Sequence, residues 1–304
     1  YIGDWSSDVC SSDLLVIGML TASVATGQLA FLPLLATITE RYGWRVALGF
    51  VCVMLGVAAF AVLMLMRDRP SDVGLRPFGD NGTAPLPAPP PANAPIMAAA
   101  LGTLRESSKS SVFWILFATF FVCGASTNGL VQVHLIPMCL DFGIPQVQAA
   151  SLLAAMGIFD FFGTIISGWL SDRYDNRYLL FWYYGLRGLS LLYLPYSDFT
   201  FYGLSLFAMF YGLDWIATVP PTVRLTAQRF GAERANLVFG WIFAGHQLGA
   251  GAAAFGAGVS RTVYSSYLPA FFIAGALCVC AALITLAIAR PQPKPAAEPK
   301  PAAA

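Results

Sequence analysis

The chain has 304 residues, 57% of them apolar and 11% charged, with a formal net charge of +1 and a mean hydropathy of +0.67. Soluble domains run nearer a quarter charged, so this composition excludes an ordinary globular class, and the near-zero charge balance leaves no footprint for a nucleic-acid partner. The apolar residues fall instead into long blocks, and about twenty residues at 1.5 Å each cross the hydrocarbon of a bilayer; such blocks must be helices, because lipid offers no partner to a free backbone N–H or C=O.

In chain order, Tyr1–Asp13 is a Ser/Asp-rich run with no initiator Met and no positive n-region of a signal peptide; it is read as a non-native or disordered segment. Eight spans follow: Leu14–Thr39, Val46–Met66, Val112–Met138, Val147–Leu170, Tyr178–Leu194, Thr200–Thr222, Ala235–Val259 and Leu268–Ala289. The breaks between them are short and turn-like or charged, as at Glu40-Arg41-Tyr42-Gly43 and Asp172-Arg173. The exception is the polar stretch Arg67–Ser111, whose Pro/Ala-rich middle from Pro85 to Pro95 predicts an extended, semi-rigid linker. Pro291–Ala304 has the same composition and is expected to be a disordered tail. Pro220-Pro221 is expected to end or kink the sixth span. Gly245, Gly249, Gly251, Gly256 and Gly258 in the seventh are expected to let helices pack closely. Cys52, Cys123, Cys278 and Cys280 lie inside apolar blocks without CxxC or Cys/His metal spacing, and are read as packing residues.

Lysine and arginine counts orient the spans. If the stretch after the second span, the loops after the fourth and sixth, and the tail are cytoplasmic, they hold thirteen of these cations, against only Arg41, Arg45 and Arg261 on the other side. That is a positive-inside bias, and it places both ends of the chain in the cytoplasm. The first two spans also look like a copy of the last two. Gly27-Gln28-Leu29 is echoed by His246-Gln247-Leu248 at a separation of 219, Arg41 by Arg261 at 220, and Arg69-Pro70 by Arg290-Pro291 at 221. The third to sixth spans have no such counterparts, so a full first half is expected to begin more than a hundred residues before Tyr1.

After the fourth span come Gly168, Leu170, Asp172, Arg173, Arg177 and Leu180, spaced as in G-x-L-x-D-R-x-G-x-R-x-x-L, with Asp175 where that pattern has its second Gly. This resembles the cytoplasmic loop signature of the major facilitator superfamily. The resemblance extends from Leu14 to Arg290 and includes the long loop between halves. It implies an all-α polytopic bundle with a partial first half of two helices (14–66), an inter-half loop (67–111) and a complete six-helix second half (112–290). The spans would be helices five to twelve, rocking about a central site by alternating access and driven by a gradient. At the loop, Gly168 is expected to allow close helix approach. Asp172 would latch the cytoplasmic side by accepting bonds from a helix N-terminus or an arginine. Arg173 and Arg177 would anchor the loop at the inner leaflet, and Asp175 would stiffen the turn and weaken the latch.

Four ionisable residues lie deep inside spans, where charge is costly and generally functional: Asp160, Arg187, Asp214 and His246. Counted from the cytoplasmic ends at 1.5 Å per residue, their depths are roughly 12–17 Å, near the midplane of a ~30 Å core. Arg187 is expected to pair with Asp214 or Asp160. The other carboxylate, Asp160 by preference, and His246 are proton-coupling candidates, with Gln247 and Gln28 as further substrate-site candidates. His134, near the outer end of the third span, is read as interfacial. The resemblance is weaker to the monocarboxylate-porter branch, in which an Arg follows the eighth-helix Asp by one turn; Thr164 stands at that place here. The expected function is therefore proton-coupled transport of a small organic anion. The alternatives are an exporter of apolar compounds, a non-transporting membrane protein, or an inactive fragment. No Walker-type phosphate loop or hydrolase motif occurs, and neither an enzyme, a cofactor nor a metal is expected. The expected partners are a small-molecule solute, protons and the lipid of the cell membrane, in which the chain is multi-pass; a monomer is expected, with the oligomeric state left open.

Overall fold

The computed structural model describes residues 27, 30–67, 74, 96–197 and 199–288. Tyr1–Asp13, the start of the first span, Gln28, the Pro85–Pro95 linker and the tail lie outside the described residues. All described secondary structure is helical.

Helix α1 (residues 30–42) and helix α2 (Trp44–Leu65) are separated by Gly43 alone, whose φ of 85° only glycine adopts without strain. Ala47 is the one buried residue of α2. An apolar helix so exposed is suited to lipid. After the amphipathic α3 (Ile96–Ser107), the third span is a single run: α4 (Ser111–Gly124), a seven-residue π-helical turn (Ala125–Val131) and α5 (Gln132–Asp141). Then come α6 (Gln146–Arg173) and α7 (Asn176–Tyr193), the latter N-capped by the Asp175 side chain, which accepts from the Arg177 amide.

The sixth span departs from the expected single helix. It folds as α8 (Phe201–Leu213) and α9 (Val219–Phe230), with residues 214–218 in turns between them. Pro220-Pro221 does not make the break but follows it, in the first turn of α9, where a missing N–H costs nothing. The long α10 (Ala232–Tyr264) and α11 (Leu268–Thr285) complete the bundle. Five described stretches are long and apolar enough to cross a membrane unaided: α2, α4 through α5, α6, α10 and α11; α7 is not among them.

The helices pack chiefly as α4 on α10, α6 on α8, and α7 on α11. Backbones come so close that a Cβ on Gly124 would collide with the His246 carbonyl, and one on Gly249 with that of Phe121. Gly251, Gly256 and Gly258 face open space among the described residues, so only Gly245 and Gly249 of the expected five mediate close packing. Two apolar cores are stacked along the bundle. One gathers Leu130, Leu153, Leu191, Phe207 and Phe271; the other Phe113, Leu116, Tyr184, Leu225 and Ile242. Arg187 lies one helical turn from Tyr184 of one core and one turn from Leu191 of the other, so a polar layer sits where the two cores meet.

Candidate functional site

The helix break is the origin of the site. Residues 214–218 lose the regular i→i−4 ladder. The Asp214 and Trp215 amides and the Ile216 carbonyl are met by i→i−3 bonds, and lipid or an apolar core would leave others, such as the Ile216 amide and the Asp214, Trp215 and Ala217 carbonyls, unmet. Side chains from three other helices meet them. From α7, Arg187 donates through Nη2 to the carbonyls of Asp214 (2.5 Å) and Trp215 (3.2 Å), and through Nε to Oδ2 of Asp214 at 2.5 Å. Its remaining nitrogen, Nη1, reaches Sγ of Cys123 on α4 at 3.1 Å, and that sulfur lies 3.4 Å from Oγ1 of Thr218. From α6, Oδ1 of Asp160 accepts from the Ile216 amide at 2.9 Å, and the Ser167 hydroxyl donates to the Ala217 carbonyl at 2.5 Å. Gly163, between them on the same face of α6, has no room for a Cβ against the Leu213 carbonyl. Arg187, Asp214 and Asp160 are all buried.

The structure thus brings three of the four deep ionisable residues together around one backbone feature. Arg187 pairs with Asp214 rather than Asp160. Among the described residues Asp160 bonds neutral partners only, the Ile216 amide and the Thr164 hydroxyl at 3.1 Å. Thr164 therefore bonds the carboxylate from the place where the monocarboxylate-porter pattern has an arginine. His246 is buried beside Cys123, stacked on Phe243 with ring centroids 5.2 Å apart, and its Nδ1 has no partner among the described atoms. Gln247, the next residue on α10, is exposed. His134 is buried, its Nε2 2.9 Å from the Ala254 carbonyl. Cys123, Ser167 and Thr218 were not singled out from sequence. Ser167 had a signal, since Asp160, Gly163 and Ser167 stand at i, i+3 and i+7 on one helical stripe.

At the loop between α6 and α7, Asp172 forms an ion pair with Arg224 of α9, tying the end of α6 to α9. Arg173 stacks over the Trp169 ring, 4.1 Å from its centroid. Two expectations are corrected. Gly168 mediates no close approach, as a Cβ there would meet nothing within 4 Å among the described residues. Arg177 is not at the leaflet but buried, held by Asp175 (Nη2–Oδ2 2.6 Å) and donating to the Ile288 carbonyl at 2.9 Å. Asp175 thus caps α7 and orients the arginine that meets the chain leaving α11.

Apolar helices of membrane-crossing length, packed through glycine and enclosing a helix break with buried charges, define a polytopic α-helical membrane protein. The chain belongs to the Major Facilitator Superfamily, whose family model matches residues 1–254. It is similar to the uncharacterized MFS-type transporter YcxA of Bacillus subtilis, 24% identical over 265 residues, which cover 84% of this chain and 59% of that protein. It is also similar to monocarboxylate transporter 12-B of Danio rerio (24% over 310 residues, 92% of this chain and 61% of that protein). Monocarboxylate transporter 13 of Bos taurus is 27% identical over 280 residues, 90% of this chain and 59% of the relative. The chain spans about three-fifths of the length of these curated relatives.

Proposed function

We propose that this chain serves a secondary transporter that moves a small organic anion together with protons by alternating access, without enzymatic chemistry. In this reading α1 and α2 close one half of the transporter, α4 through α11 form the other, and both chain ends face the cytoplasm of a cell whose membrane the protein crosses many times. The observation that carries it is the company Asp160 keeps. Among the described residues its carboxylate accepts only from an amide and a hydroxyl, while the neighbouring Asp214 holds the guanidinium of Arg187. A proton can join Asp160 without breaking an ion pair, and doing so alters the acceptor that holds Ile216 in the helix break. Proton uptake is thereby linked to the geometry of α8 and α9. The names of the monocarboxylate-transporter relatives favour a carboxylate among organic anions.

The test uses the intact protein in sealed vesicles, with a pH gradient and a panel of small monocarboxylates. Asp160→Asn keeps an oxygen acceptor for the Ile216 amide, so it should fold and still exchange solute down its gradient, yet lose pH-driven accumulation. His246→Gln tests the second proton candidate in the same way. Accumulation by both variants with unchanged pH dependence would remove both residues from the coupling role.

A second reading, an exporter of apolar compounds, is favoured by a cavity of about 340 Å³ walled by Phe121, Val122, Ala253, Ala257, Ile273 and Leu277. Gradient-driven efflux of a hydrophobic dye without carboxylate transport would select it.

A further inference from the structure

Helix α3 lies between the two parts of the chain, and its contacts fix both its direction and its depth. The Trp241 indole of α10 donates to the Ala100 carbonyl at 3.0 Å, and Arg234 of α10 pairs with Glu106. Seven residues on α10 and six on α3 separate these contacts, about 10 and 9 Å along each helix at 1.5 Å per residue. The two helices therefore run antiparallel. Leu104 packs against the nearer apolar core and Ser107 is buried, so one face of α3 is docked on the bundle.

The other face changes character along its length. Met97 and Leu101, toward the end level with Trp241, are 72% and 51% exposed. Arg105 and Lys109, toward the end level with Arg234, are exposed as well. Trp114, half exposed with its indole donating to the Ser108 carbonyl at 2.8 Å, stands at the same level as these cations. Apolar side chains at the deep end, with cations and an indole at the shallow end, match the profile from acyl chains to headgroups of one leaflet. Of the neighbouring described cations, Arg173 is engaged by Trp169, Arg177 by Asp175, Arg224 by Asp172 and Arg234 by Glu106, while Arg229 of α9 is exposed. Arg105 and Lys109 have no such partner among the described residues.

We propose that α3 is an inner-leaflet anchor that binds anionic phospholipid, with Arg105 and Lys109 at the headgroup and Met97 and Leu101 among the acyl chains. The placement rests on the cytoplasmic orientation given under the proposed function. A juxtamembrane cation contributes about 1 kcal/mol to binding an anionic surface, or roughly fivefold in affinity, so the two together give roughly 30-fold.

The full chain in detergent is titrated with phosphatidylglycerol, phosphatidylcholine or inorganic phosphate while its thermal midpoint is followed. Phosphatidylglycerol should stabilise it at far lower concentration than phosphatidylcholine, and inorganic phosphate should do nothing. Arg105→Gln with Lys109→Gln should move the phosphatidylglycerol midpoint roughly 30-fold higher, while Arg229→Gln, a single exposed cation on another helix, should move it no more than about fivefold. Equal action of the two lipids, an unaffected double variant, or phosphate matching phosphatidylglycerol would overturn the anchor. An impermeant thiol reagent applied to sealed cells carrying Lys109→Cys, compared with the parent chain, separates the two levels. Labelling from outside overturns the orientation and the inner-leaflet placement together; protection, combined with no lipid preference, overturns the anchor alone.

Discussion

Arg187 grips Asp214 twice, through Nε on the carboxylate oxygen Oδ2 and through Nη2 on the backbone carbonyl, both at 2.5 Å. The same side chain is therefore a counter-charge and a backbone cap. Arg187→Leu should remove both functions. Stranding the buried carboxylate typically costs ~3–5 kcal/mol, and each carbonyl left unmet costs ~1–3 kcal/mol. Arg187→Leu combined with Asp214→Leu should regain only the first part, giving a thermal midpoint between the single variant and the parent. A double variant at parent stability would mean the carbonyl contacts count for nothing; one no better than the single would mean the ion pair does.

The glycines on α6 make an opposite pair of predictions. Gly163 presses on the Leu213 carbonyl, so Gly163→Ala must push the helix break off α6, and overpacking of this kind costs ~1–3 kcal/mol or more. Gly168, the glycine of the loop signature, has open space, and Gly168→Ala should be neutral or gain up to ~1 kcal/mol from helix propensity. Midpoints measured on this chain in one detergent decide the matter. The reverse order would contradict the packing described here.

Asp172 and Arg224 lie on the surface, their side chains 45% and 44% exposed, so the pair should contribute no more than ~1 kcal/mol to stability. A latch between conformations would show instead in transport. In the intact protein, Asp172→Arg and Arg224→Asp should each slow solute exchange, and the swapped double variant should restore it with little change in midpoint. If the swap leaves exchange as slow as either single variant, the pair is not a latch.

Much of the bundle was legible because its cause is local. Long apolar blocks, the Gly43 turn and the charged loop at Asp172 mark helices and breaks wherever tertiary structure puts them. The split of the sixth span was not, because Thr200–Thr222 is apolar enough to read as one helix and the side chains that meet its break lie far away in sequence. The prolines pointed to a discontinuity but misplaced it, since Pro220-Pro221 starts α9 and the distortion lies before it. Depth counting gathered Arg187, Asp214 and Asp160 into one layer, yet could not choose Arg187's partner, which depends on helix rotation. Cys123 was read as packing because a buried thiol in an apolar run gives no sign that a guanidinium rests on it. Arg177 was misjudged for a similar reason: a basic residue beside a loop between spans normally faces headgroups, and here Asp175 and the distant Ile288 carbonyl hold it inside the protein.

The Arg187 clamp also constrains how the chain can be made. An arginine at the centre of a helix disfavours insertion by about 2.5–3.5 kcal/mol on translocon scales, and α7 is not among the helices apolar enough to cross alone. Its counter-charge, Asp214, is synthesised 27 residues later. Entry of α7 and α8 as a hairpin would let the two charges meet before either faces lipid, a route the pairing favours over α7 crossing alone.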